Sequence, residues 1–98
     1  MKTTEIIDRL RAQQAELNAR GVEHLAVFGS RARGDNRDDS DLDLLLDVER
    51  GSRFSLIDVV AIEHRIAQEL GFSVGAVMRR SLKRGFAERI ANDVVEIF

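Results

Sequence analysis

The sequence predicts an α/β fold, a small mixed β-sheet with helices packed on it. Three observations carry that expectation. Apolar residues recur at helical spacing near the start of the chain and again between positions 55 and 71. A short apolar run, His24 to Phe28, lies between glycines, as a buried strand does. Asp41 to Val48 alternates with the two-residue period of a strand. Helices alternating with strands imply a sheet with helices on it.

Taken in order, Thr3 or Thr4 can cap a first helix with Ile6, Ile7, Leu10 and Leu17 on one face, and Gly21 suits its left-handed end. The strand at 24–28 ends in Gly29-Ser30. In the next strand Asp41, Asp43, Leu45 and Asp47 share one side, and Leu42, Leu44, Leu46 and Val48 the other. Ser55 and Asp58 form a capping box for a second long helix, with Leu56, Val59, Val60, Ile66, Ala67 and Leu70 inward and Gly71 at its end. Phe72 to Met78 reads as a third strand, with Ser73, Gly75 and Val77 on one side. A short helix around 82–92 and an apolar stretch, Val94 to Phe98, follow.

The 98 residues, 44% hydrophobic and 33% charged, read as one globular domain over 1–98. No cysteine is present, which excludes disulfides and thiolate metal sites. No apolar run reaches signal-peptide or membrane-spanning length, so a cytoplasmic protein without membrane association is expected. The net charge of −2 argues against nucleic acid as a direct target. Charge is nevertheless segregated: six aspartates (35, 38, 39, 41, 43, 47) crowd residues 35–47, and Arg79, Arg80, Lys83 and Arg84 form a basic run.

Chemistry concentrates in two places. Asp41 and Asp43, two apart on a strand, project to the same side with Cα atoms roughly 6.5–7 Å apart. Such a pair can hold Mg²⁺, which takes oxygen ligands from carboxylates and substrate phosphates. Two ions would clamp the attacking and leaving oxygens of a displacement at phosphorus. Gly29-Ser30 at a strand end suits phosphate: glycine permits close approach, and N–H groups and a hydroxyl can hold oxygens. Gly-Ser, ten residues, then Asp-x-Asp arises by chance in roughly one chain in a thousand of this length.

Residues 29–47, GSRARGDNRDDSDLDLLLD, resemble the signature of the polymerase-β-type nucleotidyltransferase superfamily, and in particular its minimal members, the antitoxin half of HEPN/MNT toxin–antitoxin systems. The likeness in length and element order spans nearly the whole chain, while residues 26–48 carry the motif. The resemblance implies a nucleotidyltransferase fold. It also implies that Gly29 and Ser30 cradle the nucleotide phosphates, that Asp41 and Asp43 hold Mg²⁺ ions, and that Arg31 and Arg33 serve the nucleotide loop by contact or by ordering it. The implied activity is AMP transfer from ATP to a hydroxyl, a tyrosine of a helical HEPN toxin. The family's third carboxylate, on a later strand, falls at Gly75 in Val74-Gly75-Ala76-Val77.

Two other functions stay open: an antitoxin that neutralises by binding, weakened in catalysis by Gly75, and a transferase acting on a small molecule or tRNA end. Some residues also have plainer readings. Ser30 can cap a helix, Arg31 and Arg33 can pair with neighbouring aspartates, and Asp35, Asp38, Asp39 and Asp47 can simply structure the loop or meet solvent. His24 and His64 read as structural. The basic run reads as a solvated face, with a partner-facing or RNA-facing surface as the alternative.

Overall fold

Burial of Ile6, Leu10 and Leu17 draws the first two helices, α1 (Thr3–Ala12) and α2 (Gln14–Ala19), onto the sheet. The computed structural model describes every residue from Met1 to Phe98. Where the spacing suggests one helix there are two, broken at Gln13, whose N–H donates to the Leu10 carbonyl at 3.0 Å in a tightened turn. The expected threonine cap does not form. Lys2 occupies that position, and Thr3 Oγ1 instead donates to the Arg31 carbonyl at 2.8 Å.

Strand β1 (Val22–Phe28) starts two residues before the apolar run, with the Asn18 amide donating to the Val22 carbonyl at 2.8 Å. The four-residue helix α3 (Ser30–Arg33) follows it directly, then β2 (Leu42–Val48). Helix α4 (Leu56–Leu70) carries the chain across to β3 (Val74–Met78). A 3-10 turn (Arg79–Ser81), helix α5 (Arg84–Ile90) and strand β4 (Val95–Glu96) complete the order. The sheet order is β3-β2-β1-β4, with β2 antiparallel to β1 and parallel to β3, and β4 antiparallel to β1. The mixed sheet is as expected; the terminal apolar stretch supplies its second edge.

The capping box of α4 forms, Asp58 Oδ2 accepting from Ser55 N at 2.8 Å and from Ser55 Oγ at 3.2 Å. Its inward stripe is Val59, Ile62, Ile66 and Leu70. Leu56 and Val60, expected inside, are 74% and 47% exposed, because the helix turns its 59–62–66–70 face to the sheet and leaves them on the outer side. Ile57 is exposed too.

The two faces of the sheet are unequal. One, bearing Leu25, Val27, Leu42, Leu44 and Leu46, packs with Ile6, Leu10, Leu17, Ile62 and Ile66 into the main core. The other bears a small cluster of Ala26, Phe28, Leu45 and Ile90, with Phe86 edge-on to Phe28 at 5.9 Å between centroids. Asp43 belongs to this second face, opposite Phe28 on one neighbour strand and Gly75 on the other.

Candidate active site

Asp43 sits on the central strand near the start of β2 and is half-buried; Asp41 precedes the strand and is exposed. Burial pushes the Asp43 carboxyl up from its ordinary range, the negative charge of Asp41 pushes it further, and Arg33 opposes both. Two negatively charged carboxylates thus crowd one another. Gly29 lies against Asp43. Its φ of +78° and ψ of −159° define a conformation open to glycine, and a Cβ there would collide with Asp43 Oδ2. The Gly-Ser turn and the Asp-x-Asp strand are therefore in contact, although fourteen residues separate Gly29 from Asp43.

Ser30 is the first residue of α3, and Gly29 holds the cap position, so Ser30 is not the helix cap. It is half-buried beside the carboxylates' glycine neighbour. Arg33 is exposed and bridges Asp35 at 3.0 Å and Asp93 at 2.8 Å, which hold its guanidinium above the ordinary value. Asp93 had no signal in the sequence, lying sixty positions away.

Arg31 turns inward and is 4% exposed. Its Nε donates to the Ser40 carbonyl at 2.8 Å, its Nη2 to the Asp38 carbonyl at 3.2 Å, and the guanidinium lies 4.0 Å from the centre of the Phe72 ring. It ties down the loop that delivers Asp41. Within the same loop Ser40 Oγ accepts from Arg37 N at 2.9 Å.

Gly75 pairs directly with Asp43 across the parallel ladder, and a Cβ at position 75 would meet nothing within 4 Å. Asp47, the other acid on the Asp43 side, is held by Arg79 Nε at 2.8 Å. No group of three His, Cys, Asp or Glu side chains is arranged to hold a metal ion. The donor chemistry at Asp41 and Asp43 fits Mg²⁺ in the two-carboxylate form, with the remaining positions taken by phosphate and water oxygens. None of the surface concavities is lined by Ser30, Asp41 or Asp43.

The basic run departs from a purely solvated face. Arg79 also bonds Glu96 at 2.9 Å, and Arg80 donates to the carbonyls of Glu49 at 3.1 Å and Phe54 at 2.7 Å, clasping the loop before α4. Lys83 and Arg84 do face solvent, as do His24 and His64.

With this geometry in place, the family model described as "Nucleotidyltransferase domain" matches residues 6–97. The chain belongs to the nucleotidyltransferase domain family. It is an enzyme type whose relatives include the protein adenylyltransferase MntA of Thermococcus cleftensis, 39% identical over 94 residues that cover 95% of this chain and 93% of that protein. A solved structure, provisionally assigned as a minimal nucleotidyltransferase, superposes with a TM-score of 0.80 at 32% identity over 97% of this chain and 95% of its own. The fold is shared as well with a complex of tri-AMPylated Shewanella oneidensis HEPN toxin and MNT antitoxin, at TM-score 0.65 and 14% identity over 90% of this chain and 68% of that one. No helix of the nucleotidyltransferase chain is long and apolar enough to cross a membrane.

Proposed function

We propose that this nucleotidyltransferase binds Mg²⁺-ATP at Gly29, Ser30, Asp41 and Asp43 and transfers AMP to a hydroxyl, a tyrosine, of a helical HEPN-type toxin, so acting as its antitoxin. One observation carries the reading above all: the close approach of Gly29 to Asp43, which joins a phosphate-binding turn to a pair of carboxylates. The relative named as a protein adenylyltransferase supports the choice of nucleotide and acceptor class. The HEPN–MNT complex of shared fold supports the choice of partner.

In the transfer, the acceptor oxygen forms a bond to the α-phosphorus of ATP, the bond from that phosphorus to the bridging oxygen breaks, pyrophosphate leaves, and the acceptor proton passes to solvent. Asp41 and Asp43 would hold Mg²⁺, which would supply charge neutralisation for the phosphates. Ser30 and the backbone after Gly29 orient the phosphates. Arg31 keeps the 38–40 turn in place so that Asp41 stands beside Asp43. The acceptor hydroxyl is brought by the partner protein.

A second reading is favoured by Gly75: binding without efficient transfer. With no side chain opposite Asp43, no carboxylate of this chain accepts the acceptor proton there. Both readings require nucleotide binding, and one experiment separates them. Calorimetric titration with MgATP, with and without EDTA, is expected to show metal-dependent binding lost in Asp41→Asn and Asp43→Asn. Label from α-³²P-ATP on the partner marks the transferase; binding and neutralisation without label mark the second reading. Equal ATP affinity in wild type and the double variant removes both.

A further inference from the structure

Helix α5 lies on the same face of the sheet as Asp43, held there by Ile90 in the cluster with Ala26, Phe28 and Leu45. Its sides look in different directions. Ala87, Ile90 and Ala91, spaced i, i+3 and i+4, line a concavity together with Arg79 and Glu96, toward the end of β2 where Arg79 holds Asp47. Phe86 and Arg89, spaced i, i+3, share another side and take no part in that lining. The Phe86 ring packs edge-on against Phe28, which is the register partner of Asp43 and the residue before Gly29. Just beyond the end of α5, Asp93 holds Arg33 of α3 at 2.8 Å. Arg89 therefore stands between two contacts that both reach the Gly29–Arg33 segment, at the carboxylate end of the sheet.

Its charge is uncommitted. The side chain is exposed, its guanidinium lies 5.7 Å from the centre of the Phe86 ring, and it joins none of the ion pairs of this chain. The two arginines of α3 differ in this respect. Arg31 is buried and donates to the carbonyls of Ser40 and Asp38, and Arg33 is shared between Asp35 and Asp93.

We propose that Arg89 is the cation that receives the β- and γ-phosphates of ATP, the pair that leaves as pyrophosphate, and is thus a further catalytic residue of the transfer. This rests on the nucleotide reading of Gly29, Ser30, Asp41 and Asp43 above. Charge gives the reason. A nucleoside triphosphate and the two aspartates together carry more negative charge than two Mg²⁺ ions offset. When the acceptor oxygen bonds to the α-phosphorus and the bond to the bridging oxygen breaks, the electron pair of that bond leaves with pyrophosphate. Negative charge grows on the departing oxygens, where a fixed donor stabilises it most. Arg89 donates N–H bonds to those oxygens and stays protonated throughout. Its planar fork suits two phosphate oxygens at once, and its seat on the Phe86 ring limits the freedom it loses.

The test is calorimetric titration of the full chain with MgATP, with magnesium pyrophosphate and with AMP. Arg89→Met keeps an aliphatic cover on Phe86 and removes the charge. It is expected to weaken MgATP and pyrophosphate by roughly tenfold, the low end for charged hydrogen bonds, as suits an exposed group. AMP, which lacks the outer phosphates, should bind the variant as it binds wild type. Arg84→Met removes the same charge from the exposed start of α5 and should leave all three affinities unchanged; circular dichroism should match wild type for both variants. Wild-type MgATP affinity in Arg89→Met overturns the inference and leaves the nucleotide reading standing. An equal loss for AMP, or an equal loss in Arg84→Met, also overturns it, since the charge then acts on no particular phosphate. If wild type itself binds no MgATP, the nucleotide reading fails and the inference with it.

Discussion

Placing a carboxylate at position 75 probes the open slot beside Asp43. In Gly75→Asp the new side chain meets no atom within 4 Å of its Cβ and stands directly across the parallel ladder from Asp43. Neighbouring strands are ~4.8 Å apart. Two carboxylates about 5 Å apart repel by roughly 0.8 kcal/mol in water and ~3 kcal/mol at an effective dielectric of 20. Asp43 is half-buried, so the metal-free variant should lose about 1–3 kcal/mol, and each kcal/mol lowers the midpoint by roughly 4–8 °C for a chain of this length. Mg²⁺ with ATP should recover much of that loss, since a cation neutralises the three acids. A third carboxylate placed to take the acceptor proton should raise AMP transfer ~10²–10⁴-fold, while ATP affinity changes far less. The assays are thermal melts with EDTA and with Mg²⁺-ATP, and label transfer from α-³²P-ATP to the purified partner. Wild-type transfer as fast as the variant's would show the third carboxylate to be dispensable. A variant no less stable in EDTA would refute the placement of residue 75 beside Asp43.

Three further outcomes follow from the same contacts. Asp43→Asn should abolish metal-dependent nucleotide binding yet stabilise the free protein by about 1 kcal/mol at neutral pH, the scale of a partly solvated repulsion. Because folding raises the Asp43 pKa, its contribution is most favourable below the ordinary aspartate range and is lost as pH rises through the folded value, so the gain should vanish in acid melts. Gly29→Ala should cost about 1–3 kcal/mol from backbone strain alone, and should weaken MgATP binding by displacing the Asp43 carboxylate; unchanged titration curves would contradict the contact. Arg31→Met should cost about 2–3 kcal/mol through lost charged hydrogen bonds, and should free the 38–40 turn to exchange its amides faster; an unaltered exchange pattern would remove its loop-holding role.

The carboxylate pair and the Gly-Ser turn were legible because both are local patterns. A two-residue period over 41–48 predicts Asp41 and Asp43 on one side, although β2 begins only at Leu42 and the preceding loop delivers Asp41; glycine before serine at a strand end marks a tight turn. The capping box at Ser55 and Asp58 was readable for the same reason. Failures arose where distant segments decide. Leu56 and Val60 fit an inward stripe by composition, but the rotation of α4 was set by Val59, Ile62, Ile66 and Leu70 meeting the sheet. Thr3 suited a helix cap by type, yet the Arg31 carbonyl, twenty-eight positions away, took its hydroxyl.

Arg31 and Arg33 draw the distinction most clearly. They are two apart in α3, identical in chemistry, and sequence alone assigns them alike. Phe72 and the carbonyls of Asp38 and Ser40 draw one inward; Asp35 and Asp93 hold the other at the surface. The sequence by itself determined the α/β class, the sides of each strand and the identity of the carboxylate pair, since these follow from spacing along the backbone. Only the tertiary structure decided that Gly29 touches Asp43, that Gly75 faces Asp43 and that Asp47 is held by Arg79, because strand order and register join residues whose separation in the chain carries no trace of their contact.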